Sequence, residues 1–243
     1  MPIKIIEILG RSIQGVTRPF QCRCENGDLY YVKGRGAGRY SLIAEYVCGR
    51  LARSFGLPVA DFEIVEVPQE LIAWSRATDL HELGAGLAFG SKALPHVQEF
   101  SVSHLRSVSL QLRKDIVLFD WWVYNADRTL SERGGNPNLL WDQEACKLAV
   151  IDHNQAFDES FSPQSFAALH VFHEDMPAIF YDLVERMAYR DRLADAFAEF
   201  DLACDNVPSE WWWVDDGVPA SFNRETARKI LGRFNSDDFW RVA

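Results

Sequence analysis

No stretch of apolar residues in this 243-residue chain approaches the roughly 20 that a bilayer-spanning helix needs. The opening residues, Met1-Pro2-Ile3-Lys4-Ile5-Ile6-Glu7, lack the long apolar core of a secretory signal, so the expected compartment is the cytoplasm. Positive charge is scarce: 25 Lys+Arg stand against 35 Asp+Glu, a formal net charge of −10. So acidic a balance argues against wholesale direct binding of nucleic acid or anionic membrane, either of which needs a basic face, although a local basic pocket around a phosphate remains compatible with it. The five cysteines (Cys22, Cys24, Cys48, Cys146, Cys204) are odd in number and scattered, which argues against a disulfide framework. No second cysteine pair completes a metal site with Cys22 and Cys24, and alternate residues on a strand are the simpler reading. There is no internal repeat, no Gly-Lys-Ser/Thr of a P-loop, and no Gly-x-Ser-x-Gly turn to present a nucleophile.

What is present suits a globular α+β protein. At 48% hydrophobic and 25% charged residues, the chain can bury a sizeable core in one medium domain or two small lobes. Residues Ile3 to Leu9 predict a strand, followed by a loop from Gly10 to Gly15. Phe20 to Cys24 and Leu29 to Lys33 predict two more strands, joined by the hairpin signal Glu25-Asn26-Gly27-Asp28. The glycine-rich run Gly34 to Gly38 reads as a flexible lead into a helix from about Ser41 to Ser54, stopped by Gly56 and Pro58. Phe62 to Val67 is another strand. The Gly-rich segment Gly84 to Ser91 reads as a connection, with a boundary near residue 96 that divides the chain into 1–96 and 97–243. Beyond it the pattern is mainly helical: His104 to Tyr124, then roughly Pro177 to Arg190, Asp191 to Cys204 and Asn223 to Phe234. Trp121-Trp122 and Trp211-Trp212-Trp213 read as packing aromatics, the second group partly exposed among acidic residues.

The chemistry concentrates in three short segments: Tyr124-Asn125-Ala126-Asp127-Arg128, Asn136-Pro137-Asn138-Leu139-Leu140-Trp141, and Leu148-Ala149-Val150-Ile151-Asp152-His153. A helix ends and delivers Asp127 into a loop; a short strand leaves after Asn138; a second apolar strand delivers Asp152. Two carboxylates and an amide brought together in this way suit a magnesium–nucleotide site, with hard oxygen ligands for Mg²⁺ and one carboxylate left for a hydroxyl. His170-x-x-His173 lacks a third ligand at metal spacing, and His153 reads as a packing or hydrogen-bonding residue.

These motifs resemble those of the protein-kinase-like superfamily, and specifically the HipA-like serine/threonine kinases; the Asn-Ala-Asp-Arg segment is also similar to phosphatidylinositol-type lipid kinases. The resemblance implies a two-lobed α+β fold, with a small β-rich N-lobe over 1–96 and a mainly helical C-lobe over 97–243. It implies that Asp127 is the catalytic aspartate facing the acceptor hydroxyl, and that Asn138 and Asp152 hold Mg²⁺. Lys33 would contact the phosphates of ATP and Glu45 would orient Lys33, while Gly10, Ser12, Gln14 and Gly15 of the Gly10–Gly15 segment would form the phosphate-covering loop. The implied partners are ATP, a protein substrate, and an antitoxin or regulatory protein, since HipA-like kinases commonly act in toxin–antitoxin pairs. The chain departs from ordinary protein kinases in three respects: Asp127 and Asn138 lie further apart, Asn-Ala-Asp replaces His-Arg-Asp, and no Ala-Pro-Glu segment follows. The longer loop makes Asn136 a competitor for the ligand role and keeps an ATP-binding pseudokinase open; the missing segment keeps a small-molecule or lipid kinase open.

Overall fold

Alternating inward residues define the first strands. In Phe20–Cys24 the side chains of Phe20, Cys22 and Cys24 are buried, and in Leu29–Lys33 those of Tyr30 and Val32 are. The computed structural model describes residues 2–12, 18–73, 79–132 and 134–241. In chain order the regular elements are β1 (Ile3–Arg11), β2 (Phe20–Cys24), β3 (Leu29–Lys33), α1 (Arg39–Phe55), β4 (Phe62–Val67), α2 (Gln69–Ala73), α3 (Leu80–Leu83), β5 (Gly86–Lys92) and β6 (Val97–Glu99). There follow α4 (Leu110–Val123), β7 (Leu139–Asp142), β8 (Lys147–Val150), α5 (Pro163–Leu169), α6 (Pro177–Phe180), α7 (Leu183–Ala198), α8 (Phe200–Asp205), β9 (Trp213–Asp215), β10 (Val218–Pro219) and α9 (Arg224–Gly232). The molecule is thus mixed α+β, rich in strands in its N-terminal region and in helices in its C-terminal region.

Two compact units emerge. The first comprises 1–46, 60–95 and 207–222, and its centre is a closed barrel in the order β1-β2-β3-β5-β4. Closure is completed by the parallel pairing of β1 with β4, Ile3 opposite Val65. Inside lie Ile5, Phe20, Cys22, Cys24, Tyr30, Val32, Val65, Val67 and Ala88, capped by Leu80 and Leu83 of α3. The register of β1 against β2 slips between Ile5 and Glu7, so Ile6 turns outward and Ile8 returns to the core side. Burial pushes the Cys22 thiol up to about 12 and the Cys24 thiol to about 11, which makes both strand-facing core residues and poor thiolates.

Two readings of this region are corrected. Gly10 and Arg11 belong to β1, with Gly10 opposite Gln21, so the turn begins later than Gly10. The Gly84 to Ser91 segment is no connector: Gly86–Lys92 is β5, paired with both β3 and β4 in the barrel. Residues 207–222 join this unit through Trp211, fully buried, whose indole Nε1 donates to the Leu87 carbonyl at 3.0 Å, and through Glu210, which accepts from the Leu87 amide at 3.0 Å.

The second unit comprises 47–59, 96–206 and 223–243. Its core helix α4 is buried from Lys114 to Val123. The expected helix from His104 divides because Ser109 caps α4, its Oγ accepting from the Leu112 amide at 3.3 Å, while 102–107 forms a 3₁₀ segment. The expected Pro177 to Cys204 helices divide differently too: Asp182 caps α7 by accepting from the amides of Val184 and Glu185. Trp121 and Trp122 anchor α4, donating to the carbonyls of Phe239 and Leu231. The sheet order is β6-β7-β8.

Candidate functional site

Helix α4 ends on Tyr124, whose backbone takes the left-handed conformation (φ 57°), and the Asn125 amide returns to the Asp120 carbonyl at 2.9 Å. That turn delivers Asp127 half-buried. The chain then makes an excursion closed at its neck by the Thr129 amide on the Asn136 carbonyl (3.0 Å) and by the Asn136 amide on Thr129 Oγ1 (3.3 Å). Gly135 lies in that neck, where an added Cβ would sit 2.4 Å from the Thr129 carbonyl oxygen. The excursion absorbs the long interval between Asp127 and Asn138. Both competing amides reach the same oxygen: Asn136 Nδ2 donates to Asp127 Oδ2 at 2.7 Å and Asn138 Nδ2 at 3.0 Å.

Asn138 also sits beside the second aspartate. β7 pairs with β8, Leu139 opposite Val150, and the Ile151 amide donates to the Asn138 carbonyl at 3.1 Å, one residue before Asp152. Asn138 and Asp152 both have left-handed backbones (φ 48° and 56°), a conformation that Asn and Asp accept more readily than other residues with a Cβ. The Asp127 carboxyl is held above its usual range, first by burial and further by the negative charge of Asp152, against the bonds from Asn138 and Asn136. The Asp152 carboxylate and the Asn138 amide oxygen are hard donors of the kind that fits Mg²⁺, and the Asp127 carboxylate stays outside that donor set.

In the first unit, Lys33 ends β3 and Glu45 lies within α1. Lys33 Nζ donates to Glu45 Oε2 at 2.7 Å, with both residues buried. Ser12 follows β1 and its amide donates to the Pro19 carbonyl at 2.8 Å; Gln14 and Gly15 lie outside the described residues. Arg11 pairs with Glu82, and Arg39 donates to the Trp213 carbonyl at 3.2 Å, so two of the arginines near this end of the chain already have protein partners. The Gly34 to Gly38 run is a 3₁₀ turn over Arg35–Ala37. An added Cβ on Gly34 would lie 1.9 Å from the Leu83 carbonyl oxygen, so that glycine permits close approach to α3.

A family model described as HipA-like kinase matches residues 5–243. The chain belongs to the HipA-like kinase family. Among solved structures it is similar to the crystal structure of the proinflammatory kinase CtkA of Helicobacter pylori, at 12% identity and a TM-score of 0.51, covering 98% of this chain and 94% of that one. That likeness reaches the fold. No curated protein matches the sequence. As a HipA-like kinase, the chain is a kinase-type phosphotransferase, and the Asp127, Asn138 and Asp152 constellation lies within the matched span. Among the described residues no helix is long and apolar enough to cross a membrane.

Beneath these three residues lies a charged network that sequence reasoning missed. Asp120, Arg128 and His170 are all buried; Asp120 Oδ2 meets Arg128 Nε at 2.6 Å and His170 Nε2 at 3.0 Å. Burial pushes Asp120 upward, but the Arg128 charge and the His170 bond more than reverse this and hold it well below the ordinary carboxylate range. Burial lowers the His170 imidazole despite its aspartate partner. His170 therefore belongs to this network, and among the described residues no three His, Cys, Asp or Glu side chains gather at metal-binding distance. The one sequence signal for the network was Arg128 directly after Asp127; Asp120 and His170, fifty residues apart, share no spacing pattern.

Proposed function

We propose that this HipA-like kinase transfers the γ-phosphoryl group of ATP, with Mg²⁺, to a serine or threonine hydroxyl of a protein. The observation that supports this most strongly is the convergence of Asp127, Asn138 and Asp152, with Asn138 bonded to Asp127 at 3.0 Å and Asp152 directly following the residue bonded to Asn138. Asn138 donates its Nδ2 to Asp127, which leaves its amide oxygen to hold the metal together with the Asp152 carboxylate. Mg²⁺, when bound, neutralises charge on the phosphates. Asp127 Oδ2 is occupied by two amides, so Oδ1 is the oxygen that orients the acceptor hydroxyl and receives its proton. The raised Asp127 carboxyl improves it as a proton acceptor. Lys33, held in a buried ion pair by Glu45, is the cation assigned to the phosphate oxygens. Positioning and charge neutralisation are what phosphoryl transfer chiefly requires of a protein.

The test is incubation of the purified chain with γ-labelled ATP and Mg²⁺, followed by identification of the phosphorylated residue in self-labelled or added protein. Label on serine or threonine that disappears with Asp127→Ala and Asp152→Ala supports the reading. ATP bound without transfer favours a pseudokinase, and label confined to lipid or a small alcohol favours the other acceptors.

A further inference from the structure

We infer that Arg128 is the positioning residue that fixes Asn138 and Asp152 relative to each other. The inference rests on the reading that those two residues hold the divalent ion. Arg128 is fully buried, and its Nη1 lies 2.6 Å from the Asn138 carbonyl, 3.2 Å from that of Pro137 and 3.3 Å from that of Ile151. One nitrogen thus faces both segments that carry the metal donors, and the Asn138 carbonyl also accepts the Ile151 amide. Both donors have left-handed backbones, which a residue with a Cβ keeps only where its surroundings determine it. Release of those carbonyls would let either backbone relax and swing its side chain away.

The other end of the guanidinium is anchored as firmly. Nε donates to Asp120 Oδ2 at 2.6 Å, while Asn125 Nδ2 donates to Asp120 Oδ1 at 2.8 Å. The Phe172 amide donates to His170 Nδ1 at 3.1 Å, so that nitrogen carries no proton and the imidazole proton sits on Nε2, where it donates to Asp120. Asp120 is therefore gripped by three side chains and cannot rotate without breaking one of them. Among the described residues Nη2 is buried without a hydrogen-bond partner, so the hold comes from Nε and Nη1, and lysine has no planar fork with which to hold a carboxylate and three carbonyls at once.

The test is Arg128→Lys in the full chain, read by Mn²⁺ binding in the presence of a non-hydrolysable ATP analogue, by amide exchange, and by the thermal midpoint. A folded variant should bind Mn²⁺ about tenfold or more weakly, the range seen when residues supporting metal ligands are lost. Its Ile151 amide should exchange faster while the Ala149 amide of β8, opposite Leu140, does not. A folded variant with unchanged Mn²⁺ affinity and Ile151 protection overturns the inference. If Arg128→Lys does not fold, Arg128→Gln, too short to hold Asp120 and the three carbonyls at once, takes its place: weaker Mn²⁺ binding and faster Ile151 exchange in the folded variant support the inference, and no change in either overturns it. If the wild-type chain binds no Mn²⁺, the metal reading fails, and Ile151 exchange alone decides the role of Arg128.

Discussion

Asp127 holds two amide donors on a single oxygen, which explains how a loop longer than that of ordinary protein kinases still keeps its carboxylate beside Asn138. Asp127→Ala should cut phosphoryl transfer about 10²–10⁴-fold, the range for loss of a positioned acid–base group, while leaving ATP binding intact. Asn138→Ala should raise the Mg²⁺ concentration needed for half-maximal rate more than Asn136→Ala does, because it removes the side-chain amide oxygen proposed as a metal donor, whereas Asn136 is proposed only to steady Asp127; a titration of rate against Mg²⁺ separates the two. His170 gives a pH expectation. Its folded value is depressed below the ordinary histidine value of about 6.5, so the unfolded chain takes up a proton that the folded chain refuses. The contribution of His170 to stability is complete above about pH 6.5 and is lost as pH falls below it. Thermal midpoints of the wild type should therefore drop more between pH 7.5 and about pH 5.5 than those of His170→Asn.

Among the elements, β3 and α1 matter most because they meet at the buried Lys33–Glu45 pair. Glu45→Ala removes the carboxylate that holds the buried Lys33 ammonium and should destabilise the fold by about 3–5 kcal/mol, measured by denaturant unfolding, as well as lowering transfer. Gly34→Ala should cost about 1–3 kcal/mol by the same measurement, since its methyl would press on the Leu83 backbone. Much at this scale was legible in the sequence. The strands Phe20 to Cys24, Leu29 to Lys33 and Phe62 to Val67 and the first helix are marked by alternation, a hairpin turn and a Gly–Pro stop, all local signals. The three segments bearing Asp127, Asn138 and Asp152 were legible for the same reason: each follows a helix end or flanks a short apolar strand. β5 was not, because its glycines imitate a connector and only its pairing on both sides makes it a strand. The breaks at Ser109 and Asp182 depend on single capping side chains inside otherwise periodic stretches. The Asp120–Arg128–His170 network was invisible because buried charge partners meet through folding and not through spacing.

For the molecule as a whole, the first unit gathers 207–222 to the barrel by way of Trp211, a grouping that no periodicity announces. The net charge of −10 is compatible with a phosphate ligand only where cations are placed locally, as Lys33 is, and where a divalent ion offsets the paired aspartates. Binding confined to the folded state stabilises it by RT ln(1 + [L]/Kd), about 2.7 kcal/mol at a hundredfold excess over Kd. ATP with Mg²⁺ should therefore raise the thermal midpoint, and Asp152→Ala should remove the Mg²⁺-dependent part of that rise. The most direct measurement is the rate at which the purified chain, given ATP and an acceptor protein, produces ADP with Mg²⁺ and with the metal chelated. The expected result is Mg²⁺-dependent ADP production by the wild type that falls about 10²–10⁴-fold in a folded Asp127→Ala variant. A folded wild-type chain that neither binds ATP nor produces ADP, or an Asp127→Ala variant as active as the wild type, contradicts the assignment of this site to phosphoryl transfer.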